Sequence, residues 1–194
     1  YLFIKEHRDR FGDKIFAELR GIIDEAGGSP FWDGLAGRFF GMSFQEADYF
    51  NAIHGNQFIA DLMPKHPIYT AMLSESARTV IGVPHTSGRA AMRMLENENF
   101  SYDGYVDIFD GGPVVHAKTA LLNTVRNSAL AKVQIGLPVA GDSLWLVANT
   151  RVCDFRACAL QLTWLPGQPL VLHQATADQL CVAEGDHVRL VRGF

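Results

Sequence analysis

The pattern of apolar and polar positions changes along the chain. Up to about Arg126, helical periodicity and helix-capping signals dominate, whereas beyond it short apolar runs alternate with turn residues. Runs of this kind predict strands at residues 144–149, 155–162, 170–172 and 188–191. The chain is therefore predicted to be α/β (α+β), with one part at residues 1–126 and a small β-barrel-like domain at residues 127–194.

Local signals in the first part predict its elements. Residues 1–12 are typical of the end of an amphipathic helix. Residues 14–23 alternate with period 2 and favour a strand, although ten residues leave a helix open. Ser29-Pro30 then predicts a helix start, and the helix is expected to carry five apolar side chains toward the core: Phe31, Trp32, Leu35, Phe39 and Phe40.

Further capping signals follow along the chain. Ser43 and Glu46 form a capping box that opens a helix through Phe50. Ser74 is predicted to cap a helix that ends at Gly82 in the left-handed conformation. Residues 87–97 predict another helix, and residues 102–109 predict a strand closed by the turn sequence DGGP at residues 110–113.

Composition and charge narrow the class of protein. The formal net charge of −4 gives no basic footprint, so nucleic acid is not expected as a partner. The apolar runs are too short to span a bilayer, so no membrane association is expected. Three cysteines without a CxxC pair argue against a disulfide scaffold and favour a reducing, cytoplasmic location.

Histidines are the main chemical candidates, and none of the seven has the spacing of a metal site. No metal is therefore expected. His7 and His54 are expected to be exposed, and His173 and His187 to pack on strands. His116 stays ambiguous, while His66 ranks second among the functional candidates.

His85 is the first candidate for catalysis. It lies in a short loop between two predicted helices, at or just before a helix N-terminus. The helix dipole there opposes protonation and keeps an imidazole neutral, which suits proton transfer. A loop histidine that only bonds the backbone is the alternative reading, and it stays open at this point.

Other catalytic classes find little support. The sequence has no GxSxG, GxGxxG or GxxxxGK[ST] motif, and the cysteines lie in apolar, strand-like runs. Asp103, Asp107 and Asp110 are compatible with a bound cation, but their alternation also fits a solvated strand face.

Several blocks of sequence occur in a family-specific order. Together they closely resemble the arginine N-succinyltransferase family over essentially the whole chain. The blocks are residues 17–21 (AELRG), 29–32 (SPFW), 58–69 (FIADLMPKHPIY), 80–82 (VIG) with His85, 105–113 (YVDIFDGGP) and 185–191 (GDHVRLV).

The resemblance implies a GNAT-like acyltransferase that moves a succinyl group from the co-substrate succinyl-CoA to the α-amino group of L-arginine. It also implies no permanently bound cofactor, a cytoplasmic enzyme and a homo- or hetero-oligomer. The family's proton donor corresponds to His85, although Pro84 and Thr86 flank it here, where family members read Val-His-Pro. Asp107 or Asp110 is expected to bind the guanidinium, because a carboxylate matches its planar fork.

One part of the family pattern has no counterpart in the chain. The loop that binds the CoA pyrophosphate belongs to the family's N-terminal portion, so no cofactor-binding residue is assigned. With Tyr1 in place of Met at its start, the chain is expected to be the C-terminal part of such an enzyme. Arginine and ornithine stay open as acceptors, and a non-catalytic or regulatory subunit of a heteromeric enzyme is the alternative function.

Overall fold

The computed structural model describes residues 1–193, and their helices and strands form two compact units. The terminal unit consists of Tyr1–Lys14 and the chain from Lys118 onward. The middle unit is the continuous segment Ile15–Ala117. The predicted boundary between residues 126 and 127 stays a prediction.

Helices occur in both units and most are short. The α-helices are α1 (Leu2–Glu6), α2 (Pro30–Gly34), α3 (Gly37–Phe40), α4 (Phe44–His54), α5 (Gln57–Leu62), α6 (Glu75–Val80), α7 (Arg89–Asn97), α8 (Asn123–Asn127) and α9 (Gln174–Leu180). Turns of 3-10 helix cover Arg8–Arg10, Thr70–Met72, Thr86–Gly88 and Thr119–Leu121. Within residues 1–193, no helix combines the length and the apolar character needed to cross a bilayer.

The strands form two separate sheets. They are β1 (Lys14–Glu18), β2 (Ser101–Val106), β3 (Pro113–Lys118), β4 (Ala129–Ile135), β5 (Leu144–Asn149), β6 (Ala157–Gln161), β7 (Leu170–Leu172) and β8 (His187–Arg192). The first sheet has the order β1-β3-β2, and the second has the order β6-β5-β8-β4-β7. The predicted mixed α/β class is confirmed at this level.

In the middle unit, β2 and β3 form an antiparallel pair whose register shifts between Tyr102 and Val106. Gly104 lies in this irregular stretch with a φ of 85°, in the left-handed region that favours glycine. The predicted strand 102–109 ends earlier, at Val106, because Asp107 begins a turn in which its carboxylate accepts the Phe109 and Asp110 N–H groups. The chain turns through the DGGP sequence as predicted.

Aromatic packing organises the helices of the middle unit. The fully buried Trp32 ring stacks on Phe40 and on Phe109, with a centroid distance of 5.3 Å in each case. Its Nε1–H donates to the Met42 carbonyl at 2.8 Å. This leaves the buried indole nitrogen satisfied and fixes the ring between its neighbours.

The helix predicted to start at Ser29-Pro30 begins there but does not continue through residue 40. The Ser29 hydroxyl accepts the Trp32 N–H at 3.1 Å, as a capping serine should. The helix then breaks at Leu35, and α3 starts two residues later. As a result Phe39 points to solvent with 48% of its surface exposed, so its prediction as a core residue was wrong.

In the terminal unit, the second sheet curls into a half-barrel. β4 pairs with β7 in parallel, whereas the other pairs are antiparallel. The buried core of the half-barrel is apolar: Ala131, Val133, Val147, Leu162, Trp164, Leu170, Leu172, Ala177, Leu180, Val182, Val188 and Leu190. The predicted succession of strands in this segment is confirmed. One further strand, β4, was not predicted by the apolar runs.

Helix α1 packs against this sheet. Its buried Leu2 clusters with Ala148 and Val191 on two neighbouring strands. One turn later, Glu6 accepts from the guanidinium of Arg189 at 2.6 Å, and both side chains are largely buried. The first helix of the chain therefore belongs to the same unit as its last strand.

Candidate functional site

The loop that carries His85 is tied to the middle unit by backbone hydrogen bonds. Helix α6, capped by Ser74, ends before Gly82, whose φ of 72° is left-handed as predicted. The Gly82 N–H donates to the Gly111 carbonyl at 2.8 Å, and the His85 N–H donates to the Arg20 carbonyl at 2.7 Å. The loop is thus fixed to the end of β1 and to the turn before β3.

Glycine is required where these segments meet. A Cβ atom on Gly21 would lie 2.2 Å from the Asp110 carbonyl oxygen, and one on Gly112 would lie 2.0 Å from the Leu19 carbonyl oxygen. On Gly82 it would lie 2.2 Å from the Tyr102 hydroxyl. Side chains at Gly21 and Gly112 would collide with backbone, which cannot move aside as a flexible side chain can.

Asp110 bonds the two strand ends to each other. One carboxylate oxygen accepts the Gly21 N–H at 2.8 Å and the other accepts the Gly112 N–H at 2.8 Å. The residue is only 9% exposed. Asp110 therefore serves the backbone here, and both of its oxygens already accept a hydrogen bond.

The other two carboxylates of the acidic cluster have separate partners. One oxygen of Asp107 accepts the N–H groups of Phe109 at 2.8 Å and of Asp110 at 3.3 Å, which stabilises the turn. Asp103 lies 3.2 Å from Nε2 of His116 across the β2–β3 pair. The three aspartates therefore have different roles: Asp107 stabilises the turn, Asp110 joins two strand ends, and Asp103 pairs across the strands.

The imidazole of His85 is half-buried and has defined partners on one side. Its Nδ1 lies 2.7 Å from the Ser87 hydroxyl and accepts the Ser87 backbone N–H at 3.3 Å. His85 thereby caps the 3-10 turn Thr86–Gly88, which leads directly into α7. The predicted position of His85 before a helix N-terminus is confirmed. The alternative, a loop histidine that bonds the backbone, also describes this ring, because its Nδ1 accepts a backbone N–H.

The other histidines divide into packed and exposed groups. His54 is exposed as predicted, and His66 is exposed as well. His7 was predicted to be exposed, but its ring packs on Phe3 with centroids 4.6 Å apart. His173 was predicted to pack on a strand, yet it is exposed and caps α9 through its Nδ1.

His187 lies at the first position of β8 and is exposed, so its predicted packing on the strand was wrong. It borders a polar cavity of about 290 Å³ in the terminal unit, together with Asn149, Arg151 and Asp186. None of the predicted site residues lines this cavity.

Two observations on the described residues bear on cysteine and metal chemistry. Burial raises the pKa of the Cys158 thiol, which disfavours the nucleophilic thiolate. Within residues 1–193, no group of three or more His, Cys, Asp or Glu side chains is positioned to hold a metal ion.

The sequence pointed to His85 as a candidate but not to the residues that hold it. Ser87 was treated only as a helix start, although a hydroxyl two residues after a capping histidine is within reach of its ring. The pairing of Asp110 with Gly21 spans 89 residues of sequence, and no local pattern announces it.

Comparison with known proteins gives a consistent result. Residues 1–124 match the family described as arginine N-succinyltransferase beta subunit, and residues 129–192 match its C-terminal domain. Proteins named arginine N-succinyltransferase from Salmonella paratyphi B and Salmonella newport are 46% identical over 193 residues, which is 99% of this chain and 56% of theirs. The chain thus spans about half the length of the curated relatives it matches.

A solved structure is also similar. It is the arginine/ornithine succinyltransferase subunit AI from Pseudomonas aeruginosa, with 36% identity and a TM-score of 0.87. The similarity covers 98% of this chain and 54% of that one.

Proposed function

Because this chain belongs to the arginine N-succinyltransferase family, we propose that it takes part in succinyl transfer from succinyl-CoA to the α-amino group of L-arginine. One observation carries the proposal: the family match over residues 1–124 runs through the loop in which His85 is fixed. A GNAT-like fold and a cytoplasmic location belong to the same proposal. Assembly with other copies or subunits belongs to it as well.

The proposed reaction is direct acyl transfer. The neutral α-amine attacks the thioester carbonyl carbon, a C–N bond forms, and the C–S bond breaks with its electron pair on sulfur. The attacking nitrogen loses one proton, and the departing thiolate gains one to leave as CoA. General acid–base catalysis of this kind needs a side chain near the reacting atoms that can give a proton.

His85 is proposed as that proton donor. Its Nδ1 is occupied by Ser87, so Nε2 is the ring nitrogen available to a substrate. The loop around it is fixed by hydrogen bonds to the Arg20 and Gly111 carbonyls, and such fixation keeps a catalytic group in register.

The guanidinium of the acceptor is the second recognition task. Asp110 is poorly suited to it, because both of its oxygens accept backbone N–H groups and the side chain is buried. Asp107 uses only one oxygen in its turn, so it is the better of the two candidates. Asp107→Asn should then raise the KM for arginine, and an unchanged KM would remove this residue.

A second candidate function is a non-catalytic or regulatory subunit of a heteromeric arginine/ornithine succinyltransferase. This function is favoured because both similar proteins are subunits: the matched family is that of a beta subunit, and the Pseudomonas structure is that of subunit AI. Comparing arginine with ornithine as acceptors in the same assay addresses the choice of substrate.

The decisive variant is His85→Ala, made in the full polypeptide that the gene encodes. Thiol release from succinyl-CoA in the presence of arginine should slow by roughly 10²–10⁴-fold in kcat, since general acid–base catalysis contributes about that much. His54→Ala, at an exposed position on α4, is the matched control and should keep normal turnover.

Thermal unfolding of His54→Ala should resemble that of the unmodified protein, and His85→Ala should lose only the stability of one cap, because neither imidazole is buried in a core. If His85→Ala kept its kcat, the assignment of the proton donor would be wrong. Unmodified protein that released no thiol with either acceptor would favour the non-catalytic subunit.

A further inference from the structure

The hydroxyl of Ser87 has no evident task in building the fold. It is exposed, and its partner is the Nδ1 atom of His85 at 2.7 Å. The cap of the 3-10 turn is made by a different group of the same residue, the Ser87 backbone N–H, which donates to Nδ1 at 3.3 Å. One ring nitrogen therefore receives two contacts from one residue.

These contacts determine which nitrogen of the ring bears the proton. A backbone N–H can only donate, so Nδ1 must present its lone pair to it. The Ser87 hydroxyl can then donate to the same nitrogen, and the neutral ring carries its proton on Nε2. The assignment follows from the hydrogen-bond partners alone.

We propose that Ser87 is a positioning residue that holds His85 in the tautomer with the proton on Nε2. This inference rests on the proposed function. It determines the role of His85 in proton transfer: the imidazole faces the substrate as a proton donor and not as a base. Removal of the proton from the α-ammonium group then falls to solvent or to another residue.

The proton balance can be followed through the pair. When the C–S bond breaks, the thiolate sulfur takes the proton from Nε2, and Nδ1 takes the proton of the Ser87 hydroxyl. Nδ1 then returns this proton to the Ser87 oxygen as Nε2 takes up a proton from water, which restores the starting tautomer. The imidazole is neutral before and after the step, and the proton that the attacking amine releases to solvent balances the one that Nε2 takes up.

A second histidine in the same chain separates capping from positioning. His173 caps α9 with the same geometry, since its Nδ1 accepts the Ala175 backbone N–H at 3.3 Å. Residue 175 is alanine and has no hydroxyl to offer. A histidine cap of this kind is therefore complete without the hydroxyl, which argues that the one on Ser87 serves the ring.

The test uses the variants Ser87→Ala and Ser87→Thr, made in the full polypeptide that the gene encodes. Loss of one hydrogen bond to the ring should lower kcat by about three- to tenfold in Ser87→Ala, with the KM values little changed. Ser87→Thr keeps the hydroxyl and should stay within about twofold of the unmodified protein.

A spectroscopic measurement reads the tautomer without reference to activity. With ¹⁵N-labelled histidine, NMR should report His85 protonated on Nε2 in the unmodified protein. The population protonated on Nδ1 should grow in Ser87→Ala but not in Ser87→Thr. The signals of His173 should not change in either variant, so they are an internal reference.

The outcomes separate this inference from the proposed function. A ring protonated on Nδ1 in the unmodified protein would overturn it, and so would a Ser87→Ala variant with unchanged kcat and unchanged tautomer. If the unmodified protein transferred no succinyl group, the proposed function would fail, while NMR would still decide the role of Ser87.

Discussion

Each unit buries a polar residue that ties loops to strands, and the two residues differ in kind. In the middle unit it is Asp110, whose carboxylate accepts two backbone N–H groups from strand ends. In the terminal unit it is Asn149, whose amide group donates to the Asp154 and Leu180 carbonyls and accepts the Arg156 N–H at 3.2 Å. Both side chains are buried and both are satisfied.

The surroundings explain the difference. Asn149 ends β5 beside the large apolar core of the half-barrel, and its amide can both donate and accept in the loop that follows. Asp110 lies where the backbones of Gly21 and Gly112 meet, and both groups that contact its carboxylate are N–H donors. A carboxylate suits that place, because it is a pure acceptor and bonds more strongly than a neutral group. The comparison shows that a carboxylate, Asp110, joins the strand ends next to the His85 loop, whereas a neutral amide joins loop and strand in the terminal unit.

The largest expected effect comes from removing these two ties. Asp110→Ala and Asn149→Ala should each lower the free energy of unfolding by roughly 2–5 kcal/mol, because buried backbone groups lose their partners. Only Asp110→Ala is expected to lower kcat in the fraction that remains folded. Urea unfolding gives the stability, and thiol release per folded molecule gives the activity.

Asp110→Asn is the matched control, since it preserves the shape of the side chain and one acceptor oxygen. It should recover part of the stability. Equal losses of activity in the Asp110 and Asn149 variants would break the distinction between the two ties.

A smaller effect is expected from crowding the glycines around Asp110. Gly112→Ala places a methyl group against the Leu19 carbonyl and should cost about 1–3 kcal/mol of unfolding free energy. Gly12→Ala, where the new methyl group would meet nothing closer than 3.7 Å, is the control. Differential scanning calorimetry of the two variants measures the contrast. A Gly112→Ala variant as stable as the control would mean that the strand ends can move apart.

The smallest effect concerns a second carboxylate tie in the middle unit, the capping box of α4. Ser43 and Glu46 exchange backbone and side-chain hydrogen bonds there, and Ser43→Ala should cost about 1 kcal/mol. Hydrogen bonds from the Ser43 N–H and then from its hydroxyl hold the pKa of Glu46 below its ordinary value of 4.5.

This lowered pKa fixes the sign of the pH dependence. A depressed carboxyl pKa stabilises the folded state above the unfolded pKa, and the contribution is lost as the pH falls through the folded pKa. The stability difference between the unmodified protein and Glu46→Gln should therefore shrink below about pH 4. Asp48→Asn on the same helix is the control, and a difference independent of pH would contradict the assignment.

Local signals predicted a good part of the fold. The Ser29 and Ser43 caps, the left-handed Gly82 and the DGGP turn are each determined by neighbouring residues, and each was confirmed. The break at Leu35 was missed, because apolar periodicity continues across it; in the structure Phe40, at the end of the second short helix, stacks back on Trp32 of the first.

The candidate site was predictable only in part. The placement of His85 before a helix follows from the sequence, and so does its proposed role through the family resemblance. The hydrogen bonds that fix its loop, from the His85 N–H to Arg20 and from the Gly82 N–H to Gly111, join distant segments through the backbone. Side-chain patterns in the sequence therefore do not predict them. His173 was misjudged for a related reason: its cap depends on where the next helix starts, within a segment that was expected to be β.

The terminal unit is built from two segments that are far apart in the sequence, and this affects its folding during synthesis on the ribosome. The middle unit is one continuous segment and is complete once Ala117 has been made. The Glu6 carboxylate, by contrast, meets its partner Arg189 only across 183 residues of sequence. At about 5–20 residues per second, helix α1 therefore waits several seconds after the middle unit has emerged before the strand that covers it exists.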